Sequence, residues 1–300
     1  METEAQGWPA DPAARVQALL HLLDAQPQGD GWFHGGRKPG GVGRIYGGQT
    51  IAQALSAISK TVDETRLVHS LHAYFLRPGD EDHETDFRVA SDFDGGSISN
   101  RRVVAMQKGE VILNLAASFQ AGLDGLSHQH HLPEVPSPEE LLSTLDYARQ
   151  HPELLTHPLA RLVVTPGPME LRPVTPDGFF GIHPDESIRD YWFRLVSPVD
   201  VSQSIHRIIL AWLSDMGVLS AAVAQHRRDA SGSGLVVASL DHTLWIHDNV
   251  DVNDWMLYSF DSPWAGHGRG LGRGSVYSRD GRLIASSAQE GMMRLPRNRG

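Results

Sequence analysis

Asp215 is the ionisable residue in the least expected company. The segment 204–226, SIHRIILAWLSDMGVLSAAVAQH, repeats its apolar residues at helical spacing. On a helix turning 100° per residue, Ile208 and Ala222 lie about 20° either side of Asp215, and Ala211 and Leu219 about 40° away. The spacing therefore predicts one long helix with an acid near the middle of its apolar face. His206, Arg207 and Ser214 fall nearer the polar side. A carboxylate taken out of water without partners is strongly destabilising, so it needs hydrogen-bond donors, a raised pKa, or both. Acids in such surroundings cluster at active sites, where they move protons. An Asp held by a backbone amide or an Arg in the core is the competing reading, and the helix pattern does not separate the two.

Other chemistry is poorly supported. The chain has no cysteine, which removes thiolate nucleophiles, disulfides and zinc–thiolate sites. The glycine-rich run from Gly268 to Gly274 does not join a strand to a helix, so it is a poor phosphate loop. Its glycines suit a tightly curved strand or the close approach of a ligand backbone. No G-x-S-x-G elbow is present. Asp241 and His242 follow Ser239 and suggest a hydrolytic triad, but alternation along a strand turns His242 away from Ser239. His128, His130 and His131 sit in a polar stretch without acids at ligand spacing and read as surface residues.

These residues need elements to position them. A short amphipathic helix is predicted over about 12–25 and a second over TIAQALSAISK, after the glycine-rich approach GGRKPGGVGRIYGGQ. RLVHSLHAYFL, TDFRVASDF, SISNRRVVAMQ and EVILNLAASFQ then read as antiparallel strands, separated by turn residues. MELRPV and YWFRLVS, the Asp215 helix, and four further strands (LVVASLDHTLWIH, DWMLYSFDSPW, GRGLGRGSVYS, RLIASSAQEG) repeat that order. Helix plus antiparallel sheet, twice, predicts an α+β chain built by internal duplication. The domains expected are 10–122, a linker over 123–165 carrying a helix that starts at Ser137-Pro138-Glu139-Glu140, and 166–300. Two internal registers are open. One pairs Ser70 with Ser239 and Gln120 with Gln289. The other aligns turns at Gly109 and Gly281 and sets Ala117 opposite Gln289.

The 300 residues carry a formal net charge of −10, with 40% hydrophobic and 21% charged residues. That is an ordinary globular composition without the basic excess that nucleic-acid binding requires. The start lacks the basic and apolar regions of a signal peptide, and no run of about 18 apolar residues predicts a membrane span. A cytoplasmic location is the expectation.

Several segments in order, RIYGGQTIAQAL, LVHSLHAYFLRPGD, SISNRRVVAMQKGEVILNLAASFQ, LSDMGVL, ASLDHTLWIH and DWMLYSFDSPWAGHGRGLGRGSVYSRDGRLIASSAQEGMMR, resemble the type II acyl-CoA thioesterases over about 31–294. The resemblance implies a tandem, or double, hotdog fold, each half a long helix wrapped by a curved antiparallel sheet. It implies hydrolysis of fatty acyl-CoA to free acid and CoA, without a cofactor or metal. It puts the family's catalytic acid at Asp215, its hydroxyl at Ser239 (where relatives carry Thr or Ser) and its amide at Gln289. A homodimer or homotetramer is compatible with it. In this scheme Asp215 is the general base, and Ser239 and Gln289 hold the same water. CoA phosphates call for a basic patch, for which Arg101, Arg102, Arg269, Arg273 and Arg294 are candidates. An enoyl-CoA hydratase or dehydratase, which would want an Asp/His pair, and a non-catalytic acyl-CoA-binding module are the alternatives.

Overall fold

A computed structural model describes residues 8–38, 41, 43–156, 165–180, 190–226 and 234–295. The end of the predicted linker and the last residues of the chain lie outside the described residues.

The N-terminal part contains α1 (Pro12–Leu23), β1 (Gln26–Gly29), β2 (Trp32–Gly35), α2 (Gly47–Ser59), β3 (Arg66–Phe75), β4 (Thr85–Asp94), β5 (Ile98–Gln107) and β6 (Glu110–Ala121). After α3 (Thr144–Gln150) come β7 (Met169–Pro173), α4 (Pro176–Phe180), β8 (Asp190–Leu195), α5 (Gln203–Ser214), α6 (Val218–Ala224), β9 (Val236–Ser239), β10 (Asp241–Ile246), β11 (Met256–Gly266), β12 (Arg269–Ser278) and β13 (Leu283–Arg294). The described strands form one sheet, ordered β1-β2-β4-β5-β6-β3-β10-β13-β12-β11-β8-β7, with β9 also on β13. Each half has the same order: two strands, a helical segment, then the strands that complete its part of the sheet. The seam is the antiparallel pair β3–β10, with Leu71 opposite Leu244. This is the expected α+β double hotdog.

The strands alternate as their sequences require. On β5, Ser99, Arg101, Val103, Ala105 and Gln107 point inward. Helix α2 is buried from Gly48 to Ile58 and packs on α5, which fits a helix apolar on most sides. Inward positions also decide the internal register. Leu113, Leu115, Ala117 and Phe119 on β6 correspond to Ala285, Ser287, Gln289 and Gly291 on β13. The turn alignment is therefore right: Gln289 stands where the first half has Ala117, and Gln120 is a half-buried residue near a strand end.

Several elements differ from expectation. β1, β2 and α4 are additional to the predicted elements, and LVVASLDHTLWIH forms two strands, β9 on β13 and β10 between β3 and β13. The Ser137 capping box is formed, but it opens only a 3₁₀ turn, Pro138–Glu140. Leu141 is extended and packs with Leu132 and Val135 on Trp192, Trp255, Leu257 and Tyr277. Burial of Leu141 on the outer face of the sheet outweighs continuation of the helix, which restarts at the Ser143 cap. The predicted long helix is likewise two helices, broken at Asp215–Gly217. His206, Arg207 and Ser214, placed near the polar side by the wheel, are buried, because helices and sheet surround α5 and leave it no solvent face. By length and composition Gln203–Ala224 could cross a membrane, yet 72% of its apolar window is buried within the protein, as in a core helix.

Candidate active site

The break in the second-half helix presents the acid. Asp215 caps α5 in the right-handed region (φ −77°), and Gly217 starts α6 at φ 95°, a conformation that glycine adopts without strain. Interrupting a helix strips partners from nearby carbonyls. Three phenols replace them: Tyr46 donates to Trp212 O (2.9 Å), Tyr258 to Ser214 O (2.7 Å) and Tyr191 to Met216 O (3.0 Å). Burial pushes all three phenols above their ordinary pKa, so they remain neutral donors.

The N-terminus of α2 then closes on the carboxylate. Gly48 N–H donates to Asp215 Oδ2 at 2.9 Å, and the positive end of the helix favours the anion. A Cβ on Gly48 would stand 2.2 Å from Trp212 O; only glycine admits this approach. The other oxygen, Oδ1, accepts from Gln289 Nε2 at 2.7 Å. The same Nε2 donates to Ser239 Oγ at 2.8 Å. Ser239 ends β9 and lies opposite Gly291 on β13, two residues beyond Gln289. The structure thus brings Asp215, Ser239 and Gln289 into one hydrogen-bonded cluster.

Asp215 is half-buried as a residue, but its carboxylate is withdrawn enough that burial raises its pKa to about 6, against the opposing pull of Gln289 and Gly48. A carboxylate tuned near neutrality is mostly ionised at pH 7 and remains able to take a proton. Behind the amide lies His242, fully buried, with Nε2 2.8 Å from Ser214 Oγ. Burial pushes this imidazole down to about 4, so it is neutral at pH 7. Asp241 instead accepts from Glu290 N–H at 2.7 Å. The Ser239–His242–Asp241 triad is therefore not formed.

The arginines divide. Arg101 is buried, with its guanidinium committed to Thr61 and Asp94; it braces β5 and is not free to meet a phosphate, which corrects the expectation for it. Arg102 pairs with Asp92 and Arg273 with Asp261. Arg269 pairs with Glu290 at 3.0 Å and faces the Trp264 ring. It also lines a 230 Å³ cavity with His226, Leu235 and Met293. Arg294 is exposed at the end of β13, on the strand that carries Gln289. The inward glycines of β12 admit a helix rather than a ligand: a Cβ on Gly272 would stand 2.1 Å from Val218 O of α6. Sequence reasoning missed Gly48, the three tyrosines and Ser214. The paired glycines at the head of α2 were the one available signal.

Comparison with known proteins follows the same outline. The acyl-CoA thioesterase N-terminal domain model matches residues 34–120 and the acyl-CoA thioesterase C-terminal domain model matches 133–293. Acyl-CoA thioesterase 2 of Haemophilus influenzae is 33% identical over 277 residues, covering 92% of this chain and 97% of that protein. Human acyl-coenzyme A thioesterase 8 is 35% identical over 295 residues, covering 95% and 92%. The crystal structure of an acyl-CoA thioesterase II, TesB2, from Mycobacterium marinum superimposes with a TM-score of 0.75 at 33% identity, covering 94% of this chain and 99% of that one.

Proposed function

The chain belongs to the type II acyl-CoA thioesterases, and from that premise we propose that it hydrolyses fatty acyl-CoA through a water activated by Asp215, without a covalent intermediate. The observation that carries this reading is the Asp215–Gln289–Ser239 cluster closed by the N-terminus of α2.

Asp215 takes a proton from the water as its oxygen attacks the thioester carbonyl. Gln289 holds Asp215 and Ser239 in fixed relation. Ser239 accepts from Gln289, which leaves its own hydroxyl hydrogen free to donate to the water or the developing oxyanion. The positive end of α2 adds to the field that favours negative charge there. Collapse of the tetrahedral intermediate breaks the C–S bond, and the proton held by Asp215 passes to the departing CoA sulfur. The products are free acid and CoA thiol. Of the basic candidates, Arg269 and Arg294 suit the CoA phosphates best, on the neighbouring strands β12 and β13.

The test is thiol release from an acyl-CoA chain-length series, with no background from this cysteine-free chain. Asp215→Asn is expected to keep the fold and lower kcat about 10²–10⁴-fold. Ser239→Ala and Gln289→Ala should each lower it less. Parent-level turnover by Asp215→Asn, or enoyl-CoA hydration without thiol release, would reject the proposal.

A further inference from the structure

The amide of Gln289 has two ends, and only one is engaged by Asp215 and Ser239. Both Nε2 hydrogens are used on those residues. Among the described residues, Gln289 Oε1 is buried without a hydrogen-bond partner, and so is His242 Nδ1. Thr243 on β10 pairs with Ala288 on β13, so His242 and Gln289 stand across from each other on the inward face, both buried, and the amide favours the ring's protonated form. A carboxamide can turn over and exchange its oxygen with its nitrogen. Turned over, it would set an oxygen against the Asp215 carboxylate, which would lose its bond, and it would draw the Ser239 hydroxyl hydrogen onto the amide and away from the reacting water.

The Ser214 hydroxyl decides the tautomer of His242. Its oxygen lies 2.9 Å from Ala211 O and 2.8 Å from His242 Nε2, and it has one proton to give. If that proton goes to Ala211 O, the imidazole donates through Nε2. Nδ1 is then a bare acceptor beside Gln289 Oε1, a second bare acceptor, and both stay buried without a donor. If the proton goes to Nε2, Nδ1 carries a hydrogen, and the two unpartnered atoms become a donor and an acceptor that can satisfy each other. We propose that His242 is a positioning residue, which donates from Nδ1 to Gln289 Oε1 and so locks the amide with its NH₂ toward Asp215 and Ser239. The order Ser214–His242–Gln289–Asp215 then runs from the break in the helix to the reacting carboxylate. The imidazole touches neither substrate nor water.

This inference rests on the Asp215 reading and deepens it. Asn places its amide nitrogen near the Nδ1 position of histidine, whereas Gln reaches toward the Nε2 position. His242→Asn is therefore expected to keep kcat within about threefold of the parent, and His242→Gln and His242→Leu to lower it at least about tenfold with little change in KM. In a Gln289→Ala background His242→Leu should cost nothing further, because the group it positions is gone. Thermal melts of all variants report the structural cost of each change. Equal kcat losses in His242→Asn and His242→Gln, or losses that multiply with Gln289→Ala, overturn the positioning role. If Asp215→Asn is inactive and either of those results is found, this inference alone fails. If Asp215→Asn is active, the underlying mechanism fails.

Discussion

Asp215→Asn should make the protein more stable at neutral pH as it removes activity, and the gain should depend on pH. The native carboxyl has its pKa at about 6 against an ordinary value of 3.8. Between those values the folded state binds more protons than the unfolded one, so the parent loses stability as pH rises through the window. At 1.36 kcal/mol per unit, the loss is about 3 kcal/mol by pH 8. The asparagine variant does not titrate there. It does exchange one acceptor oxygen for an NH₂ group, and the weakened bond to Gln289 or Gly48 costs it about 1 kcal/mol at every pH. The variant is therefore expected to be about 1 kcal/mol less stable than the parent near pH 3 and about 2 kcal/mol more stable near pH 8. The groups facing the carboxylate do not disturb this comparison: Tyr46 and Tyr258 stay neutral throughout, and His242, pushed down to about 4, is present in both proteins. Urea titrations of both proteins from pH 3 to pH 8 measure the difference directly. A stability difference that stays flat across that range would refute the claim that burial holds this acid near neutrality. The same group predicts that kcat/KM of the parent falls tenfold per unit below about pH 6.

Tyr258→Phe leaves Ser214 O without its donor and is expected to cost about 1–3 kcal/mol in chemical denaturation; no loss would remove the tyrosines as supports of the helix break. Gly48→Ala forces a Cβ against Trp212 O and should displace the N-terminus of α2, lowering kcat together with the melting temperature. Unchanged kinetics would show that α2 does not hold the acid. Arg269→Glu should raise KM for acyl-CoA, with an effect that shrinks at high salt, while Arg101→Leu should lower the melting temperature. A KM insensitive to Arg269→Glu clears that residue from CoA binding.

How far the sequence could be read depended on the range of the interaction. Alternation and turn residues marked β3–β6 and β10–β13, since period-two patterns report burial on one face. Asp215 stood out because a charge among Ile208, Ala211 and Leu219 is costly wherever the chain folds. The helix break next to it was hidden, since -Ser-Asp-Met-Gly- at 214–217 fits a continuous helix in pattern, and its stability depends on phenols from three distant elements. Arg101 and Arg102 looked equivalent in sequence. Strand alternation buries one guanidinium beneath β5, where it binds Thr61 and Asp94, and leaves the other on the outer face.

The sequence by itself determined the repeated order of elements, the inward faces of the strands and the presence of one acid where water is scarce, because propensity, periodicity and the cost of a buried charge act locally. Tertiary structure alone decided what surrounds that acid. Residues 48, 215, 239 and 289 meet through the β9–β13 pairing and the packing of α2 on α5, and a contact set by strand register and helix approach leaves no trace in the spacing of the residues that make it.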